Sequence, residues 1–157
     1  MSAGKAYKGR FSPKHPSKYK GDPTNIIYRS SWELEMMKWL DDKPFVLEWQ
    51  SEEFFIPYIS PLDNKPHRYF PDFFARIQDG DGSIKTFVIE VKPLKETVEP
   101  KFQKKKTRKY ITEVLTWGKN DAKWKAAREY CADRGWEFKI FTEIDIFGDG
   151  LRKRKNK

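Results

Sequence analysis

Asp72, Glu90 and Lys92 are the side chains whose types and spacing could do chemistry together. Residues 86–92, Thr-Phe-Val-Ile-Glu-Val-Lys, are rich in β-branched and aromatic residues and predict a strand. Alternation along it puts Phe87, Ile89 and Val91 on one face and Val88, Glu90 and Lys92 on the other, with Glu90 and Lys92 about 7 Å apart. The run is apolar on both sides, as a covered central strand is, and there a carboxylate and an ammonium are costly unless they pair or hold a ligand. Pro71-Asp72 supplies a second carboxylate among Tyr69, Phe70, Phe73 and Phe74. Asp72 lies seven residues before Asp79 and Glu90 eight after Gly82, so a hairpin closed by Asp79-Gly80-Asp81-Gly82 brings the two acids level.

Two carboxylates so placed repel, and one takes up a proton unless a cation holds them. Hard oxygen ligands in a partly open site suit Mg²⁺, with Mn²⁺ as a substitute. Such an ion activates water and offsets charge on a phosphoryl oxygen, and Lys92 adds a positive charge beside it without being a ligand. The chemistry this combination suits is phosphodiester hydrolysis. Glu33 is a candidate third acid, because residues 33, 36, 37 and 40 form one helical stripe whose other members are Met36, Met37 and Leu40. It also has a plain structural reading, as the fourth residue of a Ser30-Ser31-Trp32-Glu33 capping box. Pro-Asp likewise begins many turns, and Glu-x-Lys decorates many solvated sheets, so the conjunction carries the metal-site reading.

The elements that must position these groups follow from periodicity. A helix is predicted from Ser30 through Leu40, closed by Pro44. Strands are predicted at 45–49, 54–60, 68–77 and 84–91, with Pro57 marking the second as an edge or bulged strand and Pro71 opening the sheet at the third. Residues 110–134 have helical spacing, with a break expected near Gly118, and Gly135 sits where a C′ glycine belongs. A final strand at 136–141 makes a βαβ crossover. The order α-β-β-β-β-α-β describes an α/β fold with a mixed sheet flanked by helices.

The 157 residues hold 32 Lys and Arg against 23 Asp and Glu, a net charge of +9, and the imbalance sits in blocks. Residues 1–25 read as a basic, flexible arm without period, and 149–157 as a basic tail. Between them lies one domain, 26–148, close to neutral. Inside it Lys101, Lys104, Lys105, Lys106, Arg108 and Lys109 crowd into nine positions. Cations this dense suit DNA phosphates, bound by counterion release without regard to sequence, although a solvated loop has the same composition. Six Trp, seven Tyr and twelve Phe are enough for a compact core. Trp117, just after the basic block, reads either as core or as a base-stacking platform. No apolar run approaches a membrane span, and no signal-peptide pattern opens the chain. A lone cysteine, Cys131, excludes an internal disulfide and a Cys-rich zinc module, which fits a reducing cytoplasm.

Pro71-Asp72 followed by Glu90-Val91-Lys92, with Glu33 on the preceding helix, resembles the PD-(D/E)XK nuclease superfamily. The fuller stretches Tyr28-Arg29-Ser30-Ser31-Trp32-Glu33, His67-Arg68-Tyr69-Phe70-Pro71-Asp72-Phe73, Val88-Ile89-Glu90-Val91-Lys92-Pro93 and Asn120-x-x-Lys123-Trp124 are similar to head-completion nucleases of T-even-type tailed phages and to TnsA-like endonucleases. The resemblance implies a restriction-endonuclease-like fold and metal ligation by Asp72, Glu90 and Glu33. Lys92 would polarise water, while Lys123 and Asn120 would face phosphate. It further implies an Mg²⁺-dependent endonuclease acting on DNA ends or branches, with phage head or neck components as partners. Such a protein would work in the infected host's cytoplasm or on the virion. Two alternatives stand beside it: a structural head-completion or DNA-binding protein whose nuclease fold is dispensable, and a junction-resolvase-like enzyme.

Overall fold

The structure is a computed structural model describing residues 6–148. The basic tail at 149–157 and Lys5 lie outside the described residues. In chain order the elements are β1 (Ala6–Phe11), β2 (Ile26–Ser30), α1 (Ser31–Asp42), β3 (Val46–Ser51), β4 (Ile56–Ile59), β5 (Pro66–Tyr69), β6 (Phe73–Gln78), β7 (Ile84–Val91), α2 (Arg108–Arg134), β8 (Glu137–Phe141) and α3 (Glu143–Phe147).

The central sheet has the order β3-β6-β7-β8. β6 is antiparallel to both β3 and β7, while β8 runs parallel to β7, as the crossover through α2 requires. This is the expected α/β architecture, a mixed sheet flanked by helices. Each face buries its own cluster because successive strand residues point to opposite sides. Phe73, Ala75, Ile89 and Val91 pack with Met36, Met37 and Leu40 of α1, with Trp49, and with Ile146 of α3. Phe74 and Val88 pack on the other side with Trp124, Ala127 and Cys131 of α2 and with Ile56, Tyr58 and Tyr69 of the β4–β5 hairpin.

α1 starts where expected. The Ser30 side chain accepts from the Glu33 backbone N–H at 3.1 Å, but Glu33 Oε1 accepts from the Arg29 N–H at 3.0 Å, one residue before the cap position a capping box uses. α2 runs unbroken through Gly118, which has open space around its Cα, and its Thr107 side chain caps it by accepting from the Tyr110 N–H. Gly135 ends it at φ 72°, a left-handed value that costs other residues energy.

Two further expectations need correction. The strand expected over 68–77 is two strands on different sheets, because Pro71 has no N–H for a ladder: β5 pairs with β4, and β6 enters the central sheet. β3 accordingly lies beside β6 and not beside β4. Residues 6–25 are not an arm apart from the body. β1 pairs antiparallel with β2, Phe11 and Tyr19 are buried against Trp49, and the buried Asp41 carboxylate accepts from the backbone N–H groups of Lys14 and His15 at 2.8 and 3.1 Å. Lys18 Nζ then donates to the carbonyls of Asp41 and Lys43, both at 2.8 Å. Two isolated aromatics and one distant aspartate carry no period, which is why the sequence pattern hides this attachment.

Candidate active site

The interruption between β5 and β6 builds the site. Phe73 pairs with Ile89, so Asp72, one residue earlier, stands level with Glu90 on the neighbouring strand. Asp72 Oδ2 accepts from the Val91 backbone N–H at 2.8 Å, which fixes the aspartate against β7. Glu90 is buried on the α2 side, as the alternation of β7 dictates, and its Oε1 accepts from Tyr69 Oη at 2.7 Å. Lys92 Nζ lies 3.8 Å from Glu90 Oε2, with its side chain 15% exposed. α2 contributes Lys123, whose ammonium sits 5.6 Å above the Tyr69 ring and 6.0 Å above that of Tyr58. Together with Glu52, Arg68 and Phe70 these groups line an open cleft of about 300 Å³.

The electrostatics of the cleft are those of an acid pair short of positive charge. Burial raises Asp72 well above the usual carboxylate range, and the charges of Glu90 and then Glu33 add to the effect. Burial also raises Glu90, against the pull of Lys92 and the Tyr69 hydrogen bond. Tyr69 is held well above a normal phenol by burial and by the Glu90 charge, so it stays a donor. Lys123 is lowered by burial and by Lys119, while Glu90 opposes the shift.

Asp72, Glu90, Lys92 and Lys123 thus meet in one cleft. Glu33 is different. It is buried on α1, does not line the cleft, and reaches Asp72 through its charge. Among the described residues no three His, Cys, Asp or Glu side chains stand close enough to share an ion. Asp72 and Glu90 line the cleft, and Glu33 acts on Asp72 as a nearby third charge. Lys101, Lys104, Lys105 and Lys106 lie exposed on the segment before α2, and Arg108 and Lys109 open that helix. Lys106 stacks over Phe102 and Tyr110, at 4.2 and 5.0 Å from the ring centroids. Asn120 is buried on α2 and lines a different cavity. His67 bonds the Asp63 carboxylate at 2.8 Å, in the β4–β5 hairpin and outside the cleft.

Sequence reasoning missed three cleft residues. Tyr69 was visible only as an apolar neighbour of Asp72, and its hydroxyl gave no sign of its partner. Arg68 lies over the Phe55 ring at 4.9 Å. Glu52 adopts a positive φ of 53°, donates its N–H to the Asp72 carbonyl at 3.2 Å and pairs with Arg29. Nothing in the pattern around residue 52 signals a left-handed non-glycine, a conformation that collects at functional sites.

The mixed sheet, flanked by helices, has a restriction-endonuclease-like architecture, and it sets Asp72 level with Glu90, two residues before Lys92. Residues 43–143 match the model of the TnsA-like endonuclease N-terminal domain, and the chain belongs to that family. Over 151 residues it is 42% identical to the head completion nuclease of Enterobacteria phage T4, a match covering 94% of this chain and 95% of that protein.

Proposed function

We propose that this chain is a metal-dependent deoxyribonuclease that hydrolyses phosphodiester bonds at DNA ends or branches during completion of a phage head. The observation that carries the reading is the pair of half-buried Asp72 and buried Glu90, level on adjacent strands, with Lys92 Nζ 3.8 Å from Glu90. The family supports nucleolysis, and the name of the T4 relative supports the setting in head completion.

The donor set fits Mg²⁺. That ion is commonly held by one or two carboxylates and keeps its remaining positions for water and substrate phosphate. Asp72 and Glu90 would hold it, and Glu33 adds its charge near Asp72. Once bound, the ion supplies a water of lowered pKa and offsets charge on the phosphoryl oxygen. The chain's own groups do the rest. Tyr69 holds Glu90 by one oxygen and leaves the other directed to Lys92. Lys92 donates to the attacking water or to the scissile phosphate, and Lys123 adds a second ammonium across the cleft. Lys101, Lys104, Lys105, Arg108 and Lys109 hold the flanking DNA backbone, which fixes position without reading sequence.

Incubating plasmid, linear and branched DNA with the protein, in Mg²⁺ and in EDTA, tests the reading. Cutting that needs the ion and disappears in Asp72→Ala and Lys92→Ala is the expected result. Cutting that survives in both variants sinks the assignment, and no cutting by any form points to a structural role in the head.

A further inference from the structure

Beside the catalytic cleft lies a second cavity of about 330 Å³, walled by the segment after β7 and by the first half of α2. The two share their supports. Lys92 faces the first and Lys95 the second, three residues further on, and in α2 Lys123 faces the first while Asn120 and Trp117 face the second. At 1.5 Å per residue, Trp117 sits about 9 Å along the helix from Lys123, about two or three phosphate-to-phosphate rises of a stacked strand.

Asn120 is the telling residue. It is 5% exposed, lines the cavity, and its side chain makes no hydrogen bond among the described residues. An amide held at a cavity wall with no protein partner is matched when a ligand offers both an acceptor and a donor. The edge of a nucleobase does so, and asparagine can pair with such an edge through two hydrogen bonds. Trp117, half-buried on the cavity wall, presents the kind of ring on which an unpaired base stacks. Lys95 and Lys109 flank the cavity with charge for phosphates, while Glu96 and Glu113 place acceptors at the same wall for exocyclic amines. The volume is near the lower end of the ~300–1,000 Å³ typical of small-molecule sites, which suits one nucleotide and not a duplex.

We infer that this cavity takes a single unpaired nucleotide of the DNA strand whose scissile phosphate lies between Lys92 and Lys123, so the preferred substrate carries a single-stranded end or flap. This deepens the nuclease reading and rests on it for the neighbouring phosphate. The inference commits to DNA as the occupant; a protein segment in the cavity is a competing outcome of the test.

Binding measured without a divalent ion separates the two claims. Fluorescence anisotropy in EDTA would compare a blunt duplex with one of equal length bearing a four-nucleotide single-stranded end. A parallel series would carry 2-aminopurine at each overhang position in turn. The wild-type protein should favour the overhang by about fivefold or more, in line with ~1–3 kcal/mol for a base on an aromatic ring, and should quench 2-aminopurine at one position. Asn120→Ala and Trp117→Leu should bring the preference close to one and abolish that quenching, whereas Trp117→Phe should retain most of both. Thr116→Glu changes an exposed residue on the same wall, and so tests the site without disturbing the core. Equal binding of blunt and overhung DNA by the wild type, or an unchanged preference in Trp117→Leu and Thr116→Glu, overturns the inference and leaves cleavage untouched. An overhang preference without any Mg²⁺-dependent cutting would instead overturn the nuclease reading and keep the nucleotide site.

Discussion

Tyr69 Oη donates to Glu90 Oε1 at 2.7 Å in a buried environment, and this bond orients the carboxylate at the centre of the cleft. Because Tyr69 closes β5 and Glu90 lies in β7, the bond ties the small hairpin to the central sheet. Groups that orient ligating carboxylates tune metal affinity. Tyr69→Phe should therefore raise the Mg²⁺ concentration for half-maximal cutting by about 10-fold or more, with a smaller effect at saturating ion. A cleavage titration against Mg²⁺ reads the shift, and an unchanged midpoint would remove Tyr69 from the site.

Asp72 offers a pH test. Its folded pKa is raised, so in the absence of a cation the folded protein binds the proton more tightly than the unfolded chain. This group therefore lowers stability above its folded pKa, and the loss is recovered as pH falls from there toward the ordinary carboxylate value. In EDTA, Asp72→Asn should be more stable than wild type at pH 8. The difference should shrink on acidification. Thermal melts of both proteins between pH 8 and pH 4 decide it, and a destabilised Asp72→Asn at pH 8 would contradict the charge imbalance. If Asp72 holds the ion as proposed, Mg²⁺ should reverse the order.

Asp41 holds the N-terminal segment on the body. Asp41→Ala strands the N–H groups of Lys14 and His15 and should cost about 1–3 kcal/mol in urea unfolding. Proteolysis before residue 26 should quicken in the same variant.

The basic segment before α2 should contact phosphates without reading bases. Replacing Lys104 and Lys105 with Gln should weaken binding to every DNA sequence alike and lower the slope of log affinity against log salt by about one per lysine. A slope that does not move would assign both lysines to solvent.

Gly135 ends α2 at φ 72° with nothing near the place of a Cβ, so Gly135→Ala has only backbone strain to bear. The expected loss is about 1–2 kcal/mol, readable by denaturant unfolding, with cutting unaffected.

Much of the site was legible because it obeys the two-residue period of strands. Counting outward from the Asp79–Gly82 turn put Asp72 level with Glu90, and alternation put Glu90 and Lys92 on one face; the register bears out the first. The helix, crossover and glycine stop of α2 followed from local rules of the same kind. What stayed hidden depends on contacts between distant segments. Nothing local says that residue 72 closes a gap between two sheets, that Glu33 does not line the cleft, or that Glu52 adopts a positive φ. Residues 6–25 deceived for a related reason: their anchors, Phe11 and Tyr19, are single aromatics whose partner, Trp49, lies well along the chain.

Among the described residues, Asp72 is gripped by the main-chain N–H of residue 91 and by no side-chain hydrogen bond. Every amino acid except proline can provide that donor. Over evolutionary time, position 91 can therefore accept any substitution the hydrophobic interior tolerates while the separation of the two acids stays set. Proline alone would break the grip, so natural relatives should vary freely among aliphatic residues there and avoid proline.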